Sequence, residues 1–406
     1  MKLLDVSYEG WGERWLLGRL ADDGQHLLFE YSEQALKEGL ELSPSLPLQT
    51  QAFQNFKGNQ FRLPGLIADA LPDGWGLLIM DRLFRKHGRD PHSLSPLDRL
   101  AFIGDRAMGA LSFKPQASLD LGDQDLSLLE LAAQVQEVVH DKDSAALTTL
   151  ARLGGSPQGA RPKVLVYFDP DRGIVSTQPA DNFEPWLVKF QGGNEHPEVC
   201  AIEMLYADFA RACGIEMPAT HLFELNAKLA AFGIKRFDRE AGMRVPVLTL
   251  AGSMDLDFRM PQIDYAGFLR VTRRITGSQC EVDKAFQRAV FNVVFHNRDD
   301  HSKNFSYRLD RNRDWKLSPG YDLTFSAGPG GEHHMDVYGE GKAIGRSHLL
   351  KLAQEEGVKL KTAVYLIDHA LEVAGQLAVM AGRYPILQAT RSKLGQLIAA
   401  NVTRLS

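Results

Sequence analysis

Apolar residues at alternating and helical spacings divide the chain into three parts. Two apolar runs between residues 11 and 31 flank the polar turn 21–24, which predicts a β-hairpin. The segment 72–76 is rich in proline and glycine and predicts the start of a helix. A short helix and a strand at 108–113 complete the small N-terminal α/β module that we expect over residues 1–115.

The second part, residues 116–240, begins with a polar linker and continues with a sheet-forming pattern. Ser127 and Glu130 have the spacing of a capping box, which predicts the start of a helix at this point. The apolar runs 164–168 and 186–190 are typical of strands, and a helix with apolar residues at helical spacing follows the second run.

The third part, residues 241–406, is predicted to be mostly helical. A helical face of small and branched apolar residues ends at Phe295, and residues 348–400 are amphipathic. Between them, Phe305 and Tyr307 alternate with polar residues as in a strand. The whole pattern predicts an α+β protein in two parts, with the N-terminal module in one part and a mostly helical C-terminal lobe as the other.

Composition and charge narrow the class of protein. The chain has 406 residues, of which 44% are hydrophobic and 24% charged, as in soluble globular proteins. The net charge of −5 gives no general electrostatic attraction to nucleic acid, and no apolar run is long enough to cross a membrane. Cys200, Cys213 and Cys280 lie in apolar helical segments, where we expect buried thiols. These features indicate a cytoplasmic protein with no membrane partner.

The charged loop 296–306 carries the first candidate chemistry. Asp299 precedes Asn304 by five positions, which is the interval of the protein-kinase catalytic loop. In that loop the aspartate accepts the proton of the substrate hydroxyl and the asparagine holds Mg²⁺. A hairpin after the loop would bring Asp322 back beside Asn304, where kinases place a second metal-holding aspartate.

Further kinase-like features precede this loop in the order that a kinase requires. The glycine-rich segment 154–163 leads into a strand and can offer backbone N–H groups to phosphate, although it is not a P-loop. Lys189 lies in an apolar strand and needs an anionic partner, for which Glu203 on the next helix is the candidate. The order of these signals predicts a protein-kinase-like fold.

The segment 232–239 occupies the position of a kinase hinge, which contacts the adenine base. Backbone groups of Lys235 and Phe237 are the candidates for this contact. Asp238 fits equally well a contact with the ribose and a structural salt bridge. The turn around Asp73 is interpreted as a structural helix start and not as a site.

These residues resemble the HipA family of bacterial serine/threonine kinases, the toxins of type II toxin–antitoxin modules. The resemblance covers nearly the whole chain, because the region of Leu71, Pro72 and Asp73 also looks like the small N-terminal module of the family. It rests on four short motifs: Ser156-x-x-Gly159-Ala160-x-x-Lys163, Phe237-Asp238-Arg239, Asp299-x-His301-x-Lys303-Asn304-Phe305-Ser306 and Tyr321-Asp322.

The resemblance implies ATP and Mg²⁺ as cofactors, with Asp299 as the catalytic base and Asn304 and Asp322 as metal ligands. Ser156 matches a serine that the family autophosphorylates, which ejects the loop and switches the kinase off. A HipB-like helix-turn-helix antitoxin is the implied partner, through which alone DNA would be contacted. The residues implied to bind ATP are Gly159, Ala160, Lys163, Lys189, Lys235, Phe237, His301 and Lys303.

The resemblance does not identify the acceptor, although aminoacyl-tRNA synthetases are a target class in the family. The loop around Pro157 and the hinge at Lys235 depart from the familiar pattern. Three alternatives therefore stay open. The first is a catalytically weak co-repressor that acts with an antitoxin, and the second is a small-molecule kinase. The third is a metal-dependent hydrolase that uses His296, Asp299, Asp300 and His301.

Overall fold

The computed structural model describes residues 1–117, 125–140, 147–155, 157–193 and 195–406. Helices and sheets alternate in one part and helices dominate the other, which confirms the α+β class and the two-part organisation. Among these residues, no helix combines the length and the apolar character needed to cross a membrane.

A four-stranded antiparallel sheet forms the centre of the N-terminal module, in the order β3-β2-β1-β4. The predicted hairpin is confirmed as β2–β3, and the helix predicted at residue 74 is confirmed as α3. The elements are β1 Lys2–Tyr8, β2 Trp15–Asp22, β3 Leu27–Tyr31, α1 Glu33–Glu38, α2 Gly65–Ala68, α3 Gly74–Lys86, α4 Pro96–Ile103 and β4 Leu111–Lys114.

The strand predicted at 108–113 starts later than expected. Gly109 adopts a left-handed φ of 70°, so the chain turns there and pairs with β1 only from Leu111. Met108 therefore precedes the sheet and faces the cavity described below.

The middle part is built on a five-stranded sheet in the order β6-β5-β7-β9-β8. Ser127 forms the predicted capping box with Glu130 and thereby starts α5. The elements are α5 Leu128–Val139, α6 Leu147–Gly154, β5 Lys163–Asp169, β6 Ile174–Ser176, β7 Glu184–Phe190, α7 Glu198–Ala212, β8 Thr220–Asn226 and β9 Leu229–Lys235.

The C-terminal part is mostly helical, with a short sheet β12-β13-β14 beside it. The elements are β10 Arg239–Glu240, β11 Met243–Arg244, β12 Val247–Thr249, α8 Leu250–Met254, α9 Tyr265–Thr276, α10 Gln279–Val294, β13 Ser306–Leu309, β14 Trp315–Leu317, α11 Arg346–Glu355, α12 Leu360–Ala374, α13 Leu377–Ala381 and α14 Gln388–Leu405. Cys280 corrects the expectation of three buried thiols, because it lies exposed in the first turn of α10.

Two large hydrophobic cores result from this arrangement. The first joins the N-terminal module to the five-stranded sheet, with Trp75 and Val188 in the same cluster. The second lies within the helical part, around Phe286 and Ile367. The N-terminal module and the five-stranded sheet therefore share one hydrophobic core and pack directly against each other.

Candidate active site

A cavity of about 680 Å³ lies between the parts of the chain, a size typical of small-molecule sites. The N-terminal module, the five-stranded sheet and the charged loop all contribute to its walls. Eleven of the residues singled out from the sequence line it: Gly159, Ala160, Lys163, Lys189, Lys235, Phe237, Asp299, His301, Lys303, Asn304 and Asp322.

Lys189 is buried on β7 and bridges two carboxylates. Its Nζ atom lies 2.5 Å from Glu203 of α7 and 2.6 Å from Asp322. Burial alone would lower the pKa of this ammonium, but Asp322 and Glu203 outweigh burial and raise it. Lys189 is therefore a fixed positive charge on the cavity wall, and Glu203 stands behind it without lining the cavity.

Asp322 is a fixed negative charge in the same wall. Its backbone adopts a left-handed φ of 56°, a conformation that aspartate tolerates better than most residues. Burial would raise the pKa of its carboxyl, but Lys189 and Lys163 hold that pKa well below its usual range. Lys163 lies opposite Lys189 in the register of the neighbouring strands β5 and β7. Burial lowers the pKa of Lys163 to about 8.

The charged loop begins where α10 ends. His296 turns the chain with a left-handed φ of 57°, and a short 3-10 turn at Ser302–Asn304 leads into β13. The Asn304 side-chain amide donates to the carbonyl of Asp299 at 2.6 Å. This bond fixes the two ends of the loop together and leaves the side-chain oxygen of Asn304 for another partner.

Asp299 presents its carboxylate to the cavity, with its side chain 58% exposed. Desolvation by the surrounding protein raises the pKa of Asp299, and repulsion from Asp322 and Asp300 acts in the same direction. His301 lies 3.9 Å away and partly offsets this shift. Burial lowers the pKa of His301 itself, which favours a neutral imidazole beside Asp299.

Asp300 has a structural role next to Asp299. Its buried carboxylate accepts hydrogen bonds from Tyr265 at 2.5 Å and from the backbone N–H of His334 at 2.7 Å. It also lies 2.7 Å from Nδ1 of His333, which outweighs burial and lowers the pKa of Asp300. Adjacent aspartates thus point to opposite environments, one to the cavity and one to the core.

The glycine-rich loop closes another side of the cavity. Gly159 has a left-handed φ of 104°, which allows the chain to fold over the ammonium of Lys163. Lys163 donates a hydrogen bond to the carbonyl of Gln158 within this loop. Ser156, the expected autophosphorylation site, lies outside the described residues.

The hinge segment starts at the end of β9, where Lys235 is bonded to other residues of the middle part. The backbone N–H of Lys235 donates to Ala219 at 2.8 Å, so this donor is not available to a base, and Phe237 remains as the hinge candidate. The Lys235 ammonium pairs with Glu184 at 2.6 Å.

Asp238 resolves the alternative left open by the sequence in favour of the structural role. Its carboxylate is buried between Arg236 and Arg239, each 2.8 Å away, and it also accepts the N–H of Gly109 at 2.8 Å. The two guanidinium groups outweigh burial and lower the pKa of Asp238. The carboxylate is thus committed to an ion cluster that ties the hinge to the N-terminal module.

The N-terminal module lines the cavity with residues that were not identified as functional from the sequence, among them Asp69, Asp73 and Met108. Burial raises the pKa of Asp69 to about 6, and its carboxylate accepts from Thr249. Asp73 accepts from Lys303 at 2.9 Å. The sequence indicates a turn around Asp73, but nothing in it indicates that Lys303 contacts this residue.

The donor groups suit a divalent ion that is bound partly by phosphate and water. Asp322 and the Asn304 oxygen offer hard oxygen ligands, which match the preference of Mg²⁺ for few protein carboxylates. Across the described ranges, no group of three or more histidine, cysteine, aspartate or glutamate residues could hold a metal. The four hydrolase candidates accordingly do not converge, since Asp300 is committed to Tyr265 and His296 stacks on Phe325.

The fold and the cavity together define an α+β protein with a kinase-like two-part architecture. The family model for the HipA-like C-terminal domain matches residues 155–378, and the model for the HipA N-terminal domain matches residues 8–114. The first match alone exceeds half of the chain. The chain therefore belongs to the HipA family.

A solved structure gives the same fold over nearly the whole chain. The chain superposes on HipA from the Shewanella oneidensis MR-1 complex of HipA, HipB and operator DNA with a TM-score of 0.72. The two share 16% identity, with 99% of this chain and 96% of that chain covered. The Helicobacter pylori proinflammatory kinase CtkA matches with a TM-score of 0.39 and 11% identity, over 56% of this chain and 89% of that one. No curated protein sequence matches the chain.

Proposed function

We propose that this chain is an ATP- and Mg²⁺-dependent kinase that phosphorylates a serine or threonine of a protein target. The observation that carries the proposal is the position of Lys189, which contacts Glu203 and Asp322 in a cavity that Asp299 also lines. Protein kinases require a lysine–glutamate pair and a metal-holding aspartate to be in place together. Membership of the HipA family supports the same reading.

Each charged residue has one role in this proposal. Asp299 orients the acceptor hydroxyl and takes its proton as the new oxygen–phosphorus bond forms and the bond to the leaving ADP breaks. Asp322 and the side-chain oxygen of Asn304 would hold Mg²⁺, which would neutralise charge on the phosphate oxygens. Lys189 and Lys163 offset the remaining negative charge from the sheet side.

The other cavity residues position the nucleotide. The glycine-rich loop borders the phosphates at Gly159 and Ala160, and His301 and Lys303 border them from the charged loop. The backbone of Ala160 is the candidate donor to phosphate, because the N–H and the carbonyl of Gly159 are bonded to Asp73 and Trp75. The backbone at Phe237 meets the base, with Lys235 bordering that end of the cavity. We assign residues 1–115 to an N-terminal module, 116–240 to the nucleotide-binding core and 241–406 to the catalytic lobe.

Regulation and partners follow from the family in this proposal. The Shewanella HipA structure contains HipB and operator DNA, which supports a HipB-like antitoxin as the partner of this chain. The net charge of −5 supports contact with DNA only through such a partner. Ser156 is the proposed autophosphorylation site, by its match to the family motif. A phosphate in this loop would repel ATP and so switch the kinase off. Aminoacyl-tRNA synthetases are the proposed target class.

Intact mass and phosphopeptide mapping after incubation with Mg-ATP test the proposal. The protein is first treated with phosphatase, so that its starting mass shows no phosphate. Wild type should gain phosphate at Ser156 and release ADP, whereas Asp299→Ala should do neither. Asp368→Ala, which removes an exposed carboxylate on α12, should behave as wild type. Wild type that neither binds phosphate nor releases ADP would contradict the kinase and favour the co-repressor alternative.

A further inference from the structure

A turn of the N-terminal module, Leu71 to Gly76, is packed directly on the glycine-rich loop. The N–H of Trp75 donates to the carbonyl of Gly159 at 3.1 Å, and the Trp75 indole N–H donates to the backbone carbonyl of Lys163 at 3.1 Å. A Cβ atom at Gly74 would come within 2.7 Å of the backbone of Ala160. The turn and the loop therefore fit together without space for a side chain between them.

Asp73 connects this turn to two elements of the cavity. One carboxylate oxygen accepts the N–H of Gly159, and the other lies 2.9 Å from the ammonium of Lys303. Lys303 is 230 positions away in the sequence and belongs to the charged loop. Both side chains are largely buried, with exposures of 12% and 15%. A single carboxylate thus joins the module, the glycine-rich loop and the charged loop.

Asp73 does not serve its own helix. It occupies the N-cap of α3, where an aspartate side chain usually accepts a backbone N–H of the first turn. No such bond is present at this helix start. The carboxylate is instead directed away from α3 towards Gly159 and Lys303, so helix capping does not account for its position.

The charge of Asp73 is held in place by its neighbours. Burial would raise the pKa of the carboxyl, but Lys303 and the Gly159 N–H outweigh burial and lower it. Lys303 also lies 4.3 Å above the ring of Phe258, a weak partner compared with a carboxylate. Without Asp73, the ammonium of Lys303 would lose its only ion-pair partner among the described residues.

We propose that Asp73 is a positioning residue, which sets the glycine-rich loop and Lys303 at the separation that phosphoryl transfer requires. This inference rests on the proposed kinase function. A carboxylate in a cavity for an anionic nucleotide opposes phosphate binding, so its contribution lies in the geometry of the reacting groups. The N-terminal module would then act on catalysis itself, through one side chain.

Kinetics of Asp73→Asn with Mg-ATP separate positioning from binding. The neutral amide keeps the size of the side chain but loses the ion pair, so kcat should fall about 10- to 100-fold. KM for ATP should stay equal or decrease, because a negative charge has left the site. Asp81→Asn removes another ion pair of α3, with Arg99, and should lower stability without this change in kcat.

A double-variant cycle tests whether Asp73 acts through Lys303. If it does, Asp73→Asn combined with Lys303→Ala should be no slower than Lys303→Ala alone. Independent, multiplying losses would overturn the link to Lys303, and an unchanged kcat in Asp73→Asn would overturn the positioning role while the kinase function stood.

Amide hydrogen exchange provides a readout that does not depend on activity. Asp73→Asn should speed exchange in peptides that cover residues 157–163 and 299–305, and Asp81→Asn should not. Unchanged exchange in both peptides would overturn the inference, whether or not wild type is active. If exchange is faster in Asp73→Asn but wild type shows no kinase activity, the contact made by Asp73 is supported and only the proposed kinase function fails.

Discussion

Asp299 and Asp322 are two carboxylates of one cavity whose pKa values are displaced in opposite directions. Asp322 is held ionised by Lys189 and Lys163, while partial burial and nearby carboxylates raise the pKa of Asp299. Environments that separate two titratable groups in this way assign them different tasks. Asp322 suits permanent charge neutralisation, and Asp299 suits proton transfer.

The acid side of the pH–rate profile should therefore belong to Asp299. As pH falls through its raised pKa, Asp299 becomes protonated and can no longer accept the hydroxyl proton, whereas Asp322 stays ionised. We expect kcat/KM to fall tenfold per pH unit below the pKa of Asp299, measured as ADP release in buffers of constant ionic strength. The residual rate of Asp299→Asn should lack this acid limb, and a limb that persists in the variant would assign it to another group.

At the scale of elements, the start of α3 should be more sensitive than an ordinary turn. Gly74→Ala introduces a Cβ against the glycine-rich loop, at a left-handed φ of 39°. We expect a loss of about 2–5 kcal/mol in the free energy of unfolding, from backbone strain plus overpacking. Urea unfolding measures this loss, and KM for ATP should rise as the loop is displaced.

Gly88→Ala is the matched control for this change. Gly88 also has a left-handed φ, of 71°, but nothing lies within 4 Å of its Cβ position. Only the strain of about 1–2 kcal/mol should remain, with no effect on KM. Equal losses in the two variants would show that contact with the glycine-rich loop contributes nothing.

Features that depend on residues close together in the sequence could be predicted from the sequence. The capping box at Ser127 and the hairpin β2–β3 are local, and the chain folds there as the pattern indicates. The spacing of Asp299 and Asn304 is local as well, and a hydrogen bond joins the two residues. Contacts between distant segments carry no such pattern. The pairing of Asp73 with Lys303 and the exposure of Cys280 depend on how finished elements pack, which spacing does not encode.

At the scale of the molecule, Arg244 joins the N-terminal module to the rest of the chain. Its guanidinium donates to the carbonyls of Asp105, Ala107, Gly109 and Leu111 at 2.7–3.1 Å, and it pairs with Glu9 at 3.1 Å. Because a fixed planar group satisfies five acceptors at once, no shorter side chain can replace it.

Arg244→Gln should loosen the module from the C-terminal part. We expect a loss of about 3–5 kcal/mol, because Glu9 and several carbonyls lose a buried partner, and an unfolding profile with two transitions. Differential scanning calorimetry checks both. Arg308→Gln, which removes an ion pair with Glu240 inside the C-terminal part, should cost about 1 kcal/mol or less and keep a single main transition. A single transition in Arg244→Gln would show that the shared core alone couples the parts.

The cavity wall extends in sequence from Phe61 to Ser326, which has a consequence during synthesis of the chain. Ribosomes add about 5–20 residues per second, so the codon for Asp322 is read on the order of 10–50 s after that for Asp73. Until then the nascent chain lacks Asp322, one of the two carboxylates that pair with Lys189. A kinase that needs Asp322 therefore stays inactive for most of its own synthesis, however early its N-terminal module folds.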